Sequence, residues 1–386
     1  MTAPPMSTRC RPFIRSIFAL APLALLSACG SSDSAPAPLA PAALAAVKDR
    51  AGVPRKPLAR AIDDLFTDPG AGETRALVLE IDGRIVAERY GDGFTRSTRL
   101  VGWSLSKTVT GLMIGLLVSD GRLRLDESVP VPLWQRSGDP RGEITLRQLL
   151  QMRSGLRHVE QARPVYDGDT ARMLFLDGRD NMAAYAEAQP LAAEPGRKFV
   201  YSSATTMILS DIAARALTDS TDPAVRRQLV GDYLRTRLLL PLGMRSAVAE
   251  FDPAGTLVGA GRIHATARDW ARLGEFLRNG GAVAGAQIVP HGWVEFMTRP
   301  SPAEPAYGAQ LWLNRDRGDG SGRFLPGQLP GGIVAALGHL GQYVIVSPRQ
   351  GVTLVRLGHS DDVEEKAVRE RLAAILRLLP ERPADR

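Results

Sequence analysis

Cysteine is nearly absent from this chain of 386 residues, where Cys10 and Cys29 are the two examples. Both stand near the N-terminus, in or directly after a segment that has the pattern of an export signal. The rest of the sequence can therefore form neither a disulfide bond nor a metal site built from thiolates. The fold must rest on its core, and the chain is long enough for one large domain or two closely packed ones.

Lysine is the second scarce residue. The chain has 48 basic residues, of which only five are lysines, so arginine is its default cation. One of the five, Lys107, stands in an otherwise apolar helical pattern. Arginine cannot be deprotonated in a protein whereas lysine can, so a lysine at this position favours proton transfer.

The sequence also lacks the features of nucleic-acid-binding proteins and of metalloproteins. The net charge is +7, but the charges are dispersed, without a basic stripe or interleaved aromatic residues, so nucleic-acid binding is not predicted. His158, His291 and His359 show no ligand spacing, and we predict neither a metal site nor a cofactor.

The first 28 residues have the pattern of a secretion signal. Arg9, Arg11 and Arg15 precede an apolar run from Ile17 to Leu26, which is too short to span a membrane. We therefore predict that residues 1–28 are a signal peptide and that the protein is exported.

The segment Leu26-Ser-Ala-Cys29 resembles the bacterial lipoprotein signal, in which the cysteine is lipidated and becomes the new N-terminus. The alternative is an ordinary signal peptidase site beside a chance cysteine. Residues 29–55, rich in Ser, Ala and Pro, are predicted to be a tether, because such a tract cannot bury a core. The resemblance implies a periplasm-facing protein anchored through Cys29. Gly30, where inner-membrane lipoproteins carry aspartate, favours the outer membrane of a Gram-negative bacterium.

The chemistry is predicted at the start of an apolar helix from Val101 to Ser119. Ser104 falls in its first turn and Lys107 three residues on, so the hydroxyl and the amine share one face. The positive end of the helix dipole disfavours an ammonium, and a neutral lysine can take the proton of a serine nucleophile. The Ser-x-x-Lys spacing alone also occurs on ordinary solvated helix faces.

Strand signals occur near both ends of the chain, with helical signals between them. Arg75 to Tyr90 predicts a hairpin around Asp82-Gly83, and residues 126–260, with a capping threonine at Thr145, predict a helical insertion. Further predicted helices are 56–66, 205–217, 267–278 and 363–379, further predicted strands are 307–313, 333–337, 342–347 and 352–357, and 314–332 is a predicted loop. The fold class is α+β, with an antiparallel sheet built from both chain termini and flanked by helices.

Two more segments carry polar groups where apolar ones would be expected. Pro195-Gly-Arg-Lys-Phe-Val-Tyr201-Ser-Ser203 precedes a helix, and Gly338-His339-Leu-Gly341-Gln342 enters a strand. With Ser104 and Lys107, these segments give the chain a resemblance to the serine β-lactamase and penicillin-binding protein superfamily. It is most similar to the class C-like esterases and 6-aminohexanoate-dimer hydrolases, over roughly residues 56–380, and the predicted catalytic domain is 56–386.

The resemblance implies a role for each motif. Ser104 would be acylated, Lys107 and Tyr201 would share its proton, and the N–H groups of Ser104 and Gln342 would hold the oxyanion. The third motif would bring His339 and Gly341 to the substrate.

Two residues depart from the β-lactamase pattern. Ser203 replaces the amide that would bind a penicillin side chain, and His339 replaces the lysine that would hold the β-lactam carboxylate, so both changes favour other substrates. His264 stands where many relatives carry a small polar residue, and a site role and a structural role are both open for it.

We therefore predict a serine hydrolase that cleaves small-molecule esters or linear amides through an acyl-enzyme on Ser104. A β-lactamase or DD-peptidase is one alternative, and a non-catalytic penicillin-recognising or cell-wall-binding lipoprotein is another. An α/β-hydrolase is a third, since Gly102-Trp-Ser104-Leu-Ser106 half matches Gly-x-Ser-x-Gly. The last glycine of that motif is missing, and the next 130 or so residues lack the alternating strands which that fold needs.

Overall fold

A computed structural model describes residues 38–49, 52–317 and 324–382 of the chain. The predicted signal peptide and the predicted lipidation site Cys29 lie outside these residues. Within them, no helix combines the length and the apolar character that crossing a membrane requires.

The helices of the described residues follow the sequence patterns closely. In chain order they are α1 Pro41–Ala45, α2 Arg55–Thr67, α3 Leu105–Ser119, α4 Leu146–Leu150, α5 Asp169–Phe175, α6 Met182–Glu187, α7 Ser203–Leu217, α8 Pro223–Leu234, α9 Ala267–Arg278, α10 His291–Thr298 and α11 Glu364–Arg377. Thr145 caps α4 in a capping box, in which the threonine hydroxyl and the Gln148 side chain each accept a hydrogen bond from the other residue's backbone N–H.

The strands of the main sheet occur towards both ends of the chain, as predicted, and further short strands lie between them. They are β1 Glu73–Ile81, β2 Arg84–Tyr90, β3 Leu100–Val101, β4 Val248–Ala249, β5 Ile263–Ala265, β6 Ala282–Val283, β7 Ala286–Gln287, β8 Trp312–Leu313, β9 Val334–Gly338, β10 Gln342–Ser347 and β11 Val352–His359. The strand predicted over 307–313 is short, because regular pairing with β9 covers only Trp312 and Leu313.

The main sheet joins the two ends of the chain. Its strand order is β2-β1-β11-β10-β9-β8, and neighbouring strands are antiparallel. The predicted α+β class with a sheet built from both termini is confirmed. The α/β-hydrolase alternative is wrong, because that fold is built on a mainly parallel sheet.

The sheet has a core on each face. Alternate residues of β1 point to opposite faces, so Val78 joins the core of α3 and α9, while Leu77 and Leu79 join the core of α2 and α11. Helix α3 is buried from Leu105 to Leu117, which explains its apolar residues on every side. It packs against α7, α10 and β9, so its N-terminus lies at the sheet, next to the helical insertion.

The predicted tether needs correction from residue 41 onward. Ala43 and Val47 are fully buried, and Val47 forms a bridge with Ala87 of β2. The Lys48 N–H donates to Val86 O, and the Glu88 N–H donates to Ala46 O. The residues directly after α1 therefore pair with the edge strand β2, and α1 itself contacts α2. The composition of this segment did not indicate either contact.

The described residues of the predicted loop 314–332 contain no helix or strand. Phe324 is nevertheless buried, and its ring centroid lies 6.2 Å from that of Tyr343 on β10. One aromatic side chain thus fixes this part of the loop to the sheet.

Candidate active site

Ser104 lies at the N-cap of α3, half-buried, at the start of the most buried helix. The residue before it, Trp103, has a φ of 47°, in the left-handed region that non-glycine residues seldom adopt. The backbone N–H groups of the three residues after Ser104 donate in order to the carbonyl oxygens of Gly102, Trp103 and Ser104. These hydrogen bonds tighten the first turn of the helix. A strained residue beside a candidate nucleophile is typical of functional sites.

Lys107 lies beneath Ser104 and is only 2% exposed. Its Nζ lies 2.9 Å from Ser104 Oγ, 3.0 Å from Ser203 Oγ and 2.8 Å from the carbonyl oxygen of Ala260. Burial lowers the pKa of Lys107 to about 8, although the negative charge of Glu160 opposes that shift. The lysine can therefore lose its proton near neutral pH.

Glu160 completes this group, and the sequence analysis missed it. Its Oε1 accepts a 2.6 Å hydrogen bond from Ser203 Oγ, and its Oε2 accepts one of 2.7 Å from the Ser203 N–H. Oε2 also lies 2.7 Å from His158 Nε2 and accepts a 3.0 Å bond from Thr170 Oγ1. Burial alone would raise the pKa of Glu160, but the His158 hydrogen bond and the Lys107 charge hold it at about 2.

Ser203 belongs to the same group. It is 3% exposed, and its hydroxyl donates to Glu160 while accepting from Lys107. Ser203 therefore links the lysine to the buried carboxylate, and its contact with substrate stays a prediction.

Tyr201 lies next to Lys107 and belongs to an aromatic cluster. Lys107 Nζ lies 5.1 Å from the centroid of the Tyr201 ring. The ring packs on Trp312 and Tyr307, with centroids 5.3 and 6.0 Å away. The predicted first and second motifs are thus brought together in the fold.

The third motif lies beside the nucleophile. A Cβ at Gly338 would come within 2.4 Å of Gly102 O, so β9 can approach the segment before Ser104 only with glycine at this position. His339 is exposed, and its ring meets the edge of Trp103 with centroids 5.4 Å apart. The protein atoms around the imidazole still remove part of its hydration, which lowers the pKa of His339 from 6.5, although the charge of Asp362 opposes the shift.

A tight turn follows His339, with Leu340 and Gly341 at φ values of 60° and 75°. The Gln342 side chain clamps it by donating to the carbonyls of His339, Leu340 and Gly358. The Gln342 amide side chain is therefore structural, so only its backbone N–H is a candidate oxyanion donor.

Arg356 of β11 supports the same turn from the buried side, and the sequence analysis also missed it. This fully buried guanidinium donates to the carbonyls of Gly341 and Glu73 and to the Ser360 hydroxyl, at 2.7, 3.0 and 2.7 Å. The turn is thus held by a side chain from the neighbouring strand.

His264 contacts the neighbouring strands β3 and β4 and the side chain of Glu250. It belongs to β5, where it pairs with Val101 and Val248, and its Nε2 lies 2.5 Å from Glu250 Oε1. Glu250 also accepts from Arg262 at 3.2 Å. These contacts favour the structural role for His264.

The fold and the grouping of Ser104, Lys107 and Tyr201 define the class of penicillin-recognising proteins and related hydrolases. The family model described as Beta-lactamase matches residues 58–378, so the chain belongs to the Beta-lactamase family of hydrolases.

Similar proteins include hydrolases of amides and esters. The chain is 25% identical to the 6-aminohexanoate-dimer hydrolase of Paenarthrobacter ureafaciens over 76% of this chain and 74% of that protein. A Bacillus anthracis protein proposed to be a 6-aminohexanoate-dimer hydrolase has a similar structure, with a TM-score of 0.65, 22% identity and 83% of each chain covered. A family VIII carboxylesterase has a TM-score of 0.60 and 18% identity, over 84% of this chain and 97% of that one.

Proposed function

We propose that this protein hydrolyses carboxylic esters or linear amides through an acyl-enzyme on Ser104, with Lys107 as the base. The observation that carries this proposal is the hydrogen bonding around Lys107 Nζ. A neutral amine has two N–H donors and one lone pair, and three oxygens surround it.

Two of these oxygens can only accept from the amine. The Ala260 carbonyl has no hydrogen, and Ser203 gives its own to Glu160. The lone pair of the neutral amine is thereby left for the hydroxyl hydrogen of Ser104. This is the arrangement that a serine nucleophile needs for activation.

Acylation begins with attack by Ser104 and transfer of its proton to the lysine. Ser104 Oγ attacks the carbonyl carbon while its proton passes to Lys107 Nζ, and the N–H groups of Ser104 and Gln342 stabilise the oxyanion. Collapse of the tetrahedral intermediate expels the alcohol or amine, which takes a proton through Lys107 and Tyr201. Water attacks the acyl-enzyme by the same route and gives up a proton to Lys107. Lys107 returns this proton to Ser104 Oγ as the tetrahedral intermediate collapses and releases the acid.

The third motif favours substrates without a carboxylate. A lysine there would carry a fixed charge, whereas the lowered pKa of His339 leaves the imidazole mostly neutral at pH 7.5. Ser203, with its hydroxyl committed to Glu160 and Lys107, offers no amide for a penicillin side chain. Both features support esters or linear amides over β-lactams.

We expect short-chain aryl esters to be cleaved at least about 100-fold more efficiently than cephalosporins, a difference of about 2.7 kcal/mol in transition-state binding. The test compares kcat/KM for p-nitrophenyl butyrate and a chromogenic cephalosporin at one pH near neutrality. Equal or reversed efficiencies would make the chain a β-lactamase.

Glu160→Gln should slow ester hydrolysis by about tenfold and move the ascending limb of its pH profile to lower pH. The amide has one oxygen that can accept hydrogen bonds, whereas the carboxylate has two, so a donor such as Ser203 loses its acceptor. Loss of the negative charge also lowers the pKa of Lys107 further. The measurement is kcat/KM against pH. The exposed Glu194, whose ion-pair partner within the described part of the chain is Arg197, supplies the matched control Glu194→Gln. A profile for Glu160→Gln that matches the control would remove Glu160 from the site.

A further inference from the structure

A cavity of about 740 Å³ lies away from the residues of the candidate active site. It opens between the β1–β2 hairpin, helix α9 and the β6–β7 hairpin. Apolar side chains line part of it, among them Ile85, Phe276 and Val283. Five charged side chains also line it. Arg272 and Glu275 are paired with Asp269 and Arg278, and the arrangement of the other three indicates a ligand.

The acidic one is Glu80, near the end of β1. Strand alternation turns its side chain toward α9, on the same face as Val78, and the residue is 7% exposed. Within residues 38–49, 52–317 and 324–382 its carboxyl has neither a hydrogen bond nor an ion pair. The neighbouring Glu275 differs, since it accepts from Arg278 and Asn279.

A buried carboxyl group without a partner is unfavourable in its ionised form, and this raises its pKa. Burial raises the pKa of Glu80 to about 7, with the charge of Glu275 adding to the shift. The charges of Arg272, Arg278 and Arg268 oppose it. These arginines are bound to Asp269, Glu275 and Glu88 respectively, so none of them is a dedicated partner for Glu80.

Of the three cations that line the same cavity, Arg272 is bound to Asp269, and the other two differ from it. Lys48 and Arg84 are both exposed, and among the residues that the structure describes neither has an acidic partner. The cavity therefore holds a deep negative group and outer positive groups that do not neutralise one another. A plain amine would be repelled by the outer cations, and a plain carboxylate by Glu80.

We propose that this cavity binds a linear zwitterion of the ω-amino acid class, with its ammonium on Glu80 and its carboxylate on Lys48 and Arg84. The aliphatic chain between these groups would lie along Ile85, Phe276 and Val283. The ligand is held without covalent chemistry, and the proposal is independent of Ser104 and its reaction.

The test is calorimetric titration of the full protein with 5-aminopentanoate, pentylammonium and pentanoate. We expect saturable binding of 5-aminopentanoate, weaker binding of pentylammonium and none of pentanoate. Glu80→Gln should weaken the binding of 5-aminopentanoate by at least about tenfold. Arg84→Gln should weaken it severalfold and strengthen the binding of pentylammonium, because one repelling cation is removed. The exposed-site variant Glu194→Gln should bind as the wild type does.

A second test, the pH dependence of binding, needs only the wild-type protein. Glu80 is ionised above a pKa of about 7 and neutral below it, so the affinity for 5-aminopentanoate should fall as the pH is lowered through that value. Absence of saturable binding, binding unchanged in Glu80→Gln, or an affinity that does not fall with pH would each overturn the proposal. None of these results depends on whether the protein hydrolyses esters.

Discussion

Replacing Ser104 with alanine is expected to lower kcat/KM for ester hydrolysis by at least about 10⁴-fold, because the variant lacks the oxygen that forms the acyl-enzyme. The fold should be retained. The Ser104 side chain makes no capping hydrogen bond to the helix, so the substitution removes little beyond its contact with Lys107. The measurement is hydrolysis of p-nitrophenyl butyrate with thermal unfolding in parallel.

Ser119→Ala is the matched control, since Ser119 is exposed at the far end of the same helix. It should leave activity within about twofold of the wild type, because surface substitutions seldom disturb a distant site. Activity in Ser104→Ala comparable to that of the control would show that another residue attacks the substrate.

Lys107→Arg is expected to be nearly as damaging as Lys107→Met, with a loss of about 10³-fold or more for both. Arginine keeps the positive charge but cannot accept the serine proton, whereas methionine keeps approximate length without charge. The site is buried, so thermal unfolding must first show that each variant is folded. Substantial activity in Lys107→Arg would mean that the site needs a cation and not a base.

The wild-type pH profile tests the same role. A base acts only when neutral, and the pKa of Lys107 is about 8. Below that value the ammonium dominates, so kcat/KM should fall about tenfold per pH unit, and above it the rate should level off. A rate that is flat from neutral to alkaline pH would contradict the assignment of Lys107 as the base.

Local patterns were enough to predict the elements that carry the motifs. The amphipathic spacing of residues 267–278 gave helix α9, and the apolar run 342–347 gave strand β10. Ser104 and Lys107 are three residues apart on one helix, so their contact follows from helix geometry alone.

Contacts between distant segments could not be predicted in this way. Glu160 reaches Ser203 across 43 residues, and Arg356 reaches the Gly341 carbonyl from another strand. In the sequence, Glu160 is one polar residue two places after His158. Ordinary surface segments also have this spacing, so it did not indicate a site residue. The contacts of Ser203 could not be predicted for the same reason, because its partners Lys107 and Glu160 come from elsewhere in the chain.

The most direct measurement of the central claim is labelling with a fluorophosphonate, followed by proteolysis and mass spectrometry of the labelled peptide. Such a probe reacts with an activated serine, and the proposed mechanism has Lys107 activate Ser104. We expect one adduct, on Ser104, that is lost in Ser104→Ala and kept in Ser119→Ala. An adduct on Ser106 would contradict the choice of nucleophile, and absence of any adduct would favour a non-catalytic binding protein.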